Sequence, residues 1–433
     1  MTTVSYSAAA CAAAPSPTSA SAGILQVARL LLPDLERGRR IDAGVLRSAM
    51  ETAFEASDAA GAWDWKTAYD ACEAATVLFL RKYGRALFRK ADSPASRLAA
   101  LTKIAGLLPT HTRRSEDSQA FQQFSTPIPL GLAACTAAAV TSADYVLEPS
   151  AGTGLLAILA EVAGGALALN ELADTRAALL EHLFPGTTVS RFDAAQIDDH
   201  FDAAVTPTVV LMNPPFSAVA NVDRRMADAA YRHVASALAR LVDGGRLVAI
   251  TGANFGPETP AGRDSFVRLQ ERGSVVFTAT IDGAVYAKHG TTTETRLTVI
   301  DRVPAPDPAR FPPSAGTAPD VATLLGWIAE KVPPRCPITT ALRTAPVRSS
   351  ATPRTVRGYL VRAAAHPAAA SIAEPEGVEL AYETVDWTPT EGGHLTDALY
   401  EEYVLQSIRI PGSQAHPTKL VQSAAMASVA PPK

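Results

Sequence analysis

The chain has 433 residues, 47% of them hydrophobic, and a formal net charge of −4. That is length enough for two or three domains, and it excludes a polycation, so any nucleic acid would have to be held by local patches. Its four cysteines (Cys11, Cys72, Cys135, Cys336) form no Cys-x-x-Cys pair, no apolar run reaches the roughly 18–20 residues of a membrane helix, and Met1 to Ala22 carries no basic residue ahead of an apolar core. These features argue against a disulfide framework, a zinc ribbon, a membrane span and a secretory signal, and lead to the expectation of a soluble cytoplasmic protein without a metal.

Residues 1–22 are small, polar and uncharged, and are expected to be disordered. From Ile24 to about Leu108 the pattern is helical. Ile24, Val27, Leu30 and Leu31 recur at helical spacing, Asp42 is placed to cap a helix carrying Val45, Leu46 and Met50, and Trp63 and Trp65 open another. Ser93-Pro94 reads as a cap followed by a proline in the first helical position. Residues 23–110 are therefore expected to form a helical N-terminal domain.

The pattern then changes. Short β-rich runs at Tyr145–Leu147, Ala166–Leu169, Thr188–Ser190, Val209–Met212, Arg246–Thr251, Val275–Ile281 and Arg296–Ile300 alternate with helical stretches at Leu155–Val162, Thr175–Leu183 and Met226–Leu241. Strands alternating with helices predict an α/β domain over residues 111–303, built on a mostly parallel, doubly wound sheet. The last two runs lack a clear helix between them and are read as an antiparallel pair at the sheet edge. Residues 304–320 are proline-rich and read as a linker. Beyond it, Lys331, Arg335, Arg343, Arg348, Arg354, Arg357 and Arg362 occur without an intervening acid, and an acid-rich stretch follows. The basic stretch could touch phosphates or pair with the acids, and residues 321–433 are expected to be a C-terminal extension.

Four strand ends carry the candidate chemistry. Glu148-Pro149-Ser150-Ala151-Gly152-Thr153-Gly154 follows the first strand and opens a helix, and its glycines permit a tight turn and close backbone approach to a ligand. A dinucleotide loop competes with this reading, but Ala157 replaces the third glycine, and the Glu148 carboxylate would repel phosphate while suiting a cationic amino group. No Gly-x-x-x-x-Gly-Lys-Ser/Thr loop exists, which excludes a P-loop. Glu171 ends the second strand, where an acid bonds ribose hydroxyls. Asp193-Ala194 follows the third, where an acid and a backbone N–H can meet an adenine ring. Asn213-Pro214-Pro215-Phe216 follows the fourth. Two prolines fix the backbone and remove donors, leaving an amide and an aromatic ring to frame a planar group bearing an –NH2.

Together Glu148 to Gly154 and Asn213 to Phe216 resemble the S-adenosylmethionine-dependent methyltransferases that act on exocyclic amines of DNA bases. Gln123-Phe124-Ser125-Thr126-Pro127 is similar to the segment that caps the cofactor's methionine end, and His289-Gly290-Thr291 with Thr295 to Ile300 is similar to the group's final strand. The order of these motifs resembles the gamma arrangement of adenine-N6 methyltransferases. The resemblance implies a Rossmann-like class I fold with a seven-stranded sheet, S-adenosylmethionine as cofactor and DNA as partner. It implies that Phe124, Thr126 and Pro127 pack on the methionine end, that Glu148, Pro149, Ser150, Ala151, Gly152 and Gly154 form the main loop, that Glu171 binds ribose, and that Asp193 and Ala194 bind adenine. Asn213 and the Pro214 carbonyl would accept from the target amine, with Pro215 holding the turn and Phe216 stacking on a flipped base. Arg224 and Arg225 are either phosphate contacts or a solvated helix start. Methylation of cytosine N4, of a guanine in ribosomal RNA or of a protein glutamine stays open, as does a docking module without catalysis. Residues 400–430, among them Tyr400-Glu401-Glu402-Tyr403 and His416-Pro417-Thr418, together with Tyr286 to Thr291, are similar to plasmid and phage proteins that join a methyltransferase to a strawberry-notch-like helicase. A helicase domain following this portion in a longer parent protein is implied.

Overall fold

Four helices come first among the described residues: α1 (Pro17–Glu36), α2 (Ala43–Phe54), α3 (Trp65–Lys90) and α4 (Pro94–Leu107). The computed structural model describes residues 17–111, 125–215, 228–258 and 260–338. The two expected caps form: Asp42 accepts from the Gly44 and Val45 N–H groups, and Ser93 caps α4 with Pro94 as its first residue. Asp64, not singled out in the sequence, caps α3. Residues 17–22, expected to be disordered, belong to α1 instead. Polar composition misleads there because the apolar stripe that follows (Ile24, Val27, Ala28, Leu31, Leu35) is buried against α3 and carries the first turn with it.

Eight strands form one sheet: β1 (Tyr145–Glu148), β2 (Ala166–Asn170), β3 (Val189–Ser190), β4 (Val209–Met212), β5 (Arg246–Gly252), β6 (Ser274–Ile281), β7 (Thr295–Asp301) and β8 (Thr317–Ala318). Their order is β3-β2-β1-β4-β5-β7-β6-β8. The first five in that order are mutually parallel, and β7 runs antiparallel to both β5 and β6. This is the seven-stranded sheet of the class I methyltransferase fold, lengthened by β8. Seven further helices accompany it among the described residues: α5 (Ile128–Ala138), α6 (Leu155–Val162), α7 (Asp174–Leu183), the single turn α8 (Ile197–His200), α9 (Ala229–Arg240), α10 (Pro260–Gln270) and α11 (Val321–Lys331). Helices α5, α8, α10 and α11 were not anticipated from the sequence pattern. None of the described helices is long and apolar enough to cross a membrane.

Successive strand residues point to opposite faces, and the core divides accordingly. Val209, Leu211, Val248 and Ile250 face one side, with α5 and α6; Val210, Met212, Leu247 and Ala249 face the other, with α9 and α10. The first of these cores also takes in Ile24, Leu31, Leu46, Leu80 and Leu101. The N-terminal helices, expected as a helical bundle packed on a catalytic core, form an outer layer over the sheet's own helices. Alanines permit this close approach: Ala68, Ala71, Ala74 and Ala75 make α3 buried on nearly every side, between α1 and α6.

The proline-rich stretch expected as a linker returns to the sheet. The Thr280 and Asp282 N–H groups donate to Gly316 and Ala318 carbonyls, which pairs β8 with the otherwise open edge of β6. α11 then packs on α4 and α5, and Arg335 grips Asp144 through two 2.8 Å bonds. The first part of the expected C-terminal extension thus lies on the same body.

Candidate active site

The Gly-rich loop joins β1 to α6 as expected, but its two glycines differ in what they meet. Both adopt left-handed backbone, φ 56° at Gly152 and 87° at Gly154, a conformation that disfavours any Cβ. A Cβ at Gly152 would meet nothing within 4 Å, whereas one at Gly154 would lie 2.4 Å from the Phe184 ring. Gly152 thus borders open space, and Gly154 seats α6 against the core.

Glu148 ends β1 and is buried, with Oε2 accepting from no group among the described residues. Burial pushes its carboxyl well above the ordinary 4.5; bonding from the Ala157 backbone works against the rise, and the Glu171 charge adds to it. Glu171, just past β2, holds the loop: Oε2 accepts from Gly152 N–H at 2.8 Å and Oε1 from Ala173 N–H at 2.9 Å. Asp193 caps a one-turn 3-10 helix by accepting from Ala195 N–H at 2.9 Å, with Ala194 buried beneath. Asn170, not singled out in the sequence, knits these ends together. Its Nδ2 donates to the Pro149 and Phe192 carbonyls, and its Oδ1 accepts from Phe192 N–H and Ser190 Oγ. Leu172 and Phe192, beside Glu171 and Asp193, are two of the five large apolar side chains left exposed among the described residues.

Asn213 follows β4, with Pro214 buried and Pro215 half-buried. Asn213 Nδ2 donates to Thr126 Oγ1 at 2.9 Å, so the Asn-Pro-Pro turn and the Ser125-Thr126-Pro127 segment meet. Thr126 is buried, and Pro127 precedes the first turn of α5. Phe124, Phe216, Arg224 and Arg225 lie outside the described residues, as do residues 400–430.

A second layer, which no spacing in the chain announces, stands behind this row. Glu73 of α3 is buried, and its Oε2 accepts from both Ser125 Oγ (2.8 Å) and Thr153 Oγ1 (2.6 Å). One carboxylate thus joins the helical layer to the Gly-rich loop and to the residue beside Thr126. Burial pushes Glu73 up to about 7, and the Asp70 charge adds to the rise. Asp70 itself is held down at about 2: burial would raise it, but Arg176, through bonds of 2.7 and 3.1 Å, and Lys66 overcome that. His111 and His289 approach Glu73 from two other segments. Burial, then the neighbouring His111 and Lys288, lower His289 to about 3. A lone carboxylate on a helix, 38 residues from one histidine and 216 from the other, leaves no spacing signal in the chain.

No protein-family model and no curated protein sequence matches this chain. Solved structures do. One, assigned as a modification subunit of a type I restriction enzyme from Vibrio vulnificus YJ016, matches at 15% identity and TM-score 0.39, covering 49% of this chain and 54% of that one. TrmN from Thermus thermophilus matches at 17% and 0.31, covering 43% and 52%. A Listeria monocytogenes protein assigned as a class I S-adenosylmethionine-dependent methyltransferase matches at 13% and 0.39, covering 73% and 99%. The chain spans about half the length of the first two. At these values the fold rests on the strand order itself, and the functional reading rests on the site.

Proposed function

We propose that the chain is an S-adenosylmethionine-dependent DNA methyltransferase acting on the exocyclic N6 amine of adenine, with its motifs in the gamma order. The observation that carries this reading is the Asn213 amide, tethered to Thr126 at the carboxyl end of β4, in a site that shares its second layer with the Gly-rich loop. Such an end is where open α/β sheets bind ligands.

The residues present fit the cofactor. Gly152 borders open space, Glu148 keeps a buried acceptor without a partner among the described residues, and Leu172 with Phe192 offers exposed apolar surface for a planar ring. The loop from Glu148 to Gly154 would hold its amino-acid end together with Phe124, Thr126 and Pro127; Glu171 would take the ribose, and Asp193 with Ala194 the adenine. When bound, it supplies a methyl group on a sulfonium, an activated electrophile.

The target amine is a weak nucleophile because its lone pair is delocalised into the ring. Asn213 and the Pro214 carbonyl accept from its two N–H groups, which favours a pyramidal nitrogen and aims its lone pair. Two prolines keep that acceptor pair rigid. No strong base is required, since the nitrogen sheds a proton readily once alkylated. Phe216 stacks on the flipped base, recovering about 1–3 kcal/mol, and Arg224 and Arg225 contact phosphates. We place this unit ahead of a helicase domain in a longer parent protein, on the sequence resemblance of residues 400–430.

The test compares the chain with Asn213→Ala, using methyl-tritiated cofactor and duplex DNA. Label should enter DNA with the unaltered chain and not with the variant, while calorimetry finds similar cofactor affinity in both. Equal transfer by the variant would sink the role of Asn213, and no transfer by either, with cofactor bound, would leave a docking module.

A further inference from the structure

We propose that Glu73, His111 and His289 together bind one divalent transition-metal ion, Zn2+ being the ion that suits them best. One ligand atom from each lies within 4.8 Å of the other two. Two imidazoles and a carboxylate are a donor set that Zn2+ accepts, commonly with a fourth position left open. Bonds of about 2.1 Å at tetrahedral angles put ligand atoms about 3.4 Å apart, so closure asks for side-chain adjustments on the order of 1 Å.

The surroundings prepare the set. Both hydroxyl donors to Glu73, from Ser125 and Thr153, go to Oε2, which orients the carboxylate. This is the role that outer partners play around bound metals. The His289 Nδ1 is buried and has no hydrogen-bond partner among the described residues. His111 is held by stacking on Tyr69 (centroids 4.0 Å apart, planes 11° apart), by an edge contact with His289 at 4.9 Å, and by its backbone N–H donating to the Lys288 carbonyl at 2.9 Å. Tyr69 and Glu73 are four residues apart on α3 and so share a face. Three segments distant in sequence thus bring their metal-binding side chains together and brace them.

The ion would sit one carboxylate removed from the transfer site, its fourth position left to solvent. It would tie α3 to the turn ahead of β7 and, through Ser125, steady Thr126 and hence Asn213. The inference concerns ion binding and holds whichever substrate is methylated. The competing arrangement is a proton shared between Glu73 and an imidazole.

The test uses the full chain without an affinity tag, stripped by chelator, then titrated with Zn2+ against a chromophoric competitor and with Co2+ by visible absorption. The expected result is one ion per chain, a Co2+ spectrum of low-symmetry nitrogen/oxygen coordination, and a rise in melting temperature. Glu73→Gln, His111→Gln and His289→Gln should each weaken binding at least tenfold, and His182→Gln, at an exposed histidine, should not. Should Glu73→Gln fail to fold, the two histidine variants decide. A chain that takes up no stoichiometric ion, or one whose affinity is the same in the histidine variants as in His182→Gln, would overturn the proposal in favour of the shared proton.

Discussion

Asn213 and Thr126 are 87 residues apart in sequence, yet the asparagine amide donates to the threonine hydroxyl at 2.9 Å. The bond fixes how the amide is turned at the end of β4. Thr126→Val keeps the shape and removes the hydroxyl. A neutral hydrogen bond is worth about 0.5–1.5 kcal/mol, so the methyl-transfer rate should fall about two- to twelvefold in single-turnover kinetics. Cofactor affinity should stay within about twofold, and a loss confined to affinity would contradict the tether.

The two loop glycines should fail differently. Gly154→Ala drives a Cβ into Phe184 at a backbone angle that costs about 1–2 kcal/mol by itself. It should lower stability in denaturant titration by more than that figure. Gly152→Ala carries only the backbone strain, and its methyl group enters the open space beside the loop. Its main effect should be on cofactor binding measured by calorimetry.

Leu172 and Phe192 stand exposed beside Glu171 and Asp193. Replacing Leu172 with serine should leave stability within about 0.5 kcal/mol, as exposed substitutions do, whereas the same change at Phe192, which stacks on His200 and meets the Phe201 ring, should cost more. Cofactor binding should weaken through lost apolar contact, by about 1 kcal/mol. A stability loss without an affinity loss would mean that these side chains belong to the fold alone.

Asp144 receives Arg335 through two bonds and also the Thr208 hydroxyl. Burial would raise its carboxyl, but these bonds hold it at about 2 against an ordinary 3.8. Because the folded value is the lower one, the contribution is fully present above 3.8 and is lost as pH falls through about 2. Asp144→Asn should cost about 1–3 kcal/mol at neutral pH and flatten the stability decline across that window. An unchanged acid profile would show that the Arg335 contact contributes nothing.

Much of the fold is legible in the chain because burial writes a period into it. Val209 to Met212 is apolar on both faces, Asp42 and Ser93-Pro94 mark helix starts, and Gly152 marks a turn. The sites at the strand ends follow from those elements. What α1 and α3 pack against is not legible, since an apolar helical face does not name its partner. Residues 317–318 are hidden for a related reason: two residues in a proline-rich stretch become a strand only because β6 offers an edge. Glu73 is hidden because a carboxylate on a helix ordinarily faces water, and only the packing of α3 between α1 and α6 puts it behind the loop. Phe124 and Phe216, expected on either side of the transfer site, lie outside the described residues.

The most direct measurement is the identity of the methylated product. Duplex DNA incubated with the chain and methyl-tritiated cofactor would be digested to nucleosides and separated. Label should appear in N6-methyladenosine of the deoxy series and be lost in Asn213→Ala. Label in N4-methylcytosine, or transfer to RNA or protein with none to DNA, would contradict the adenine-N6 reading.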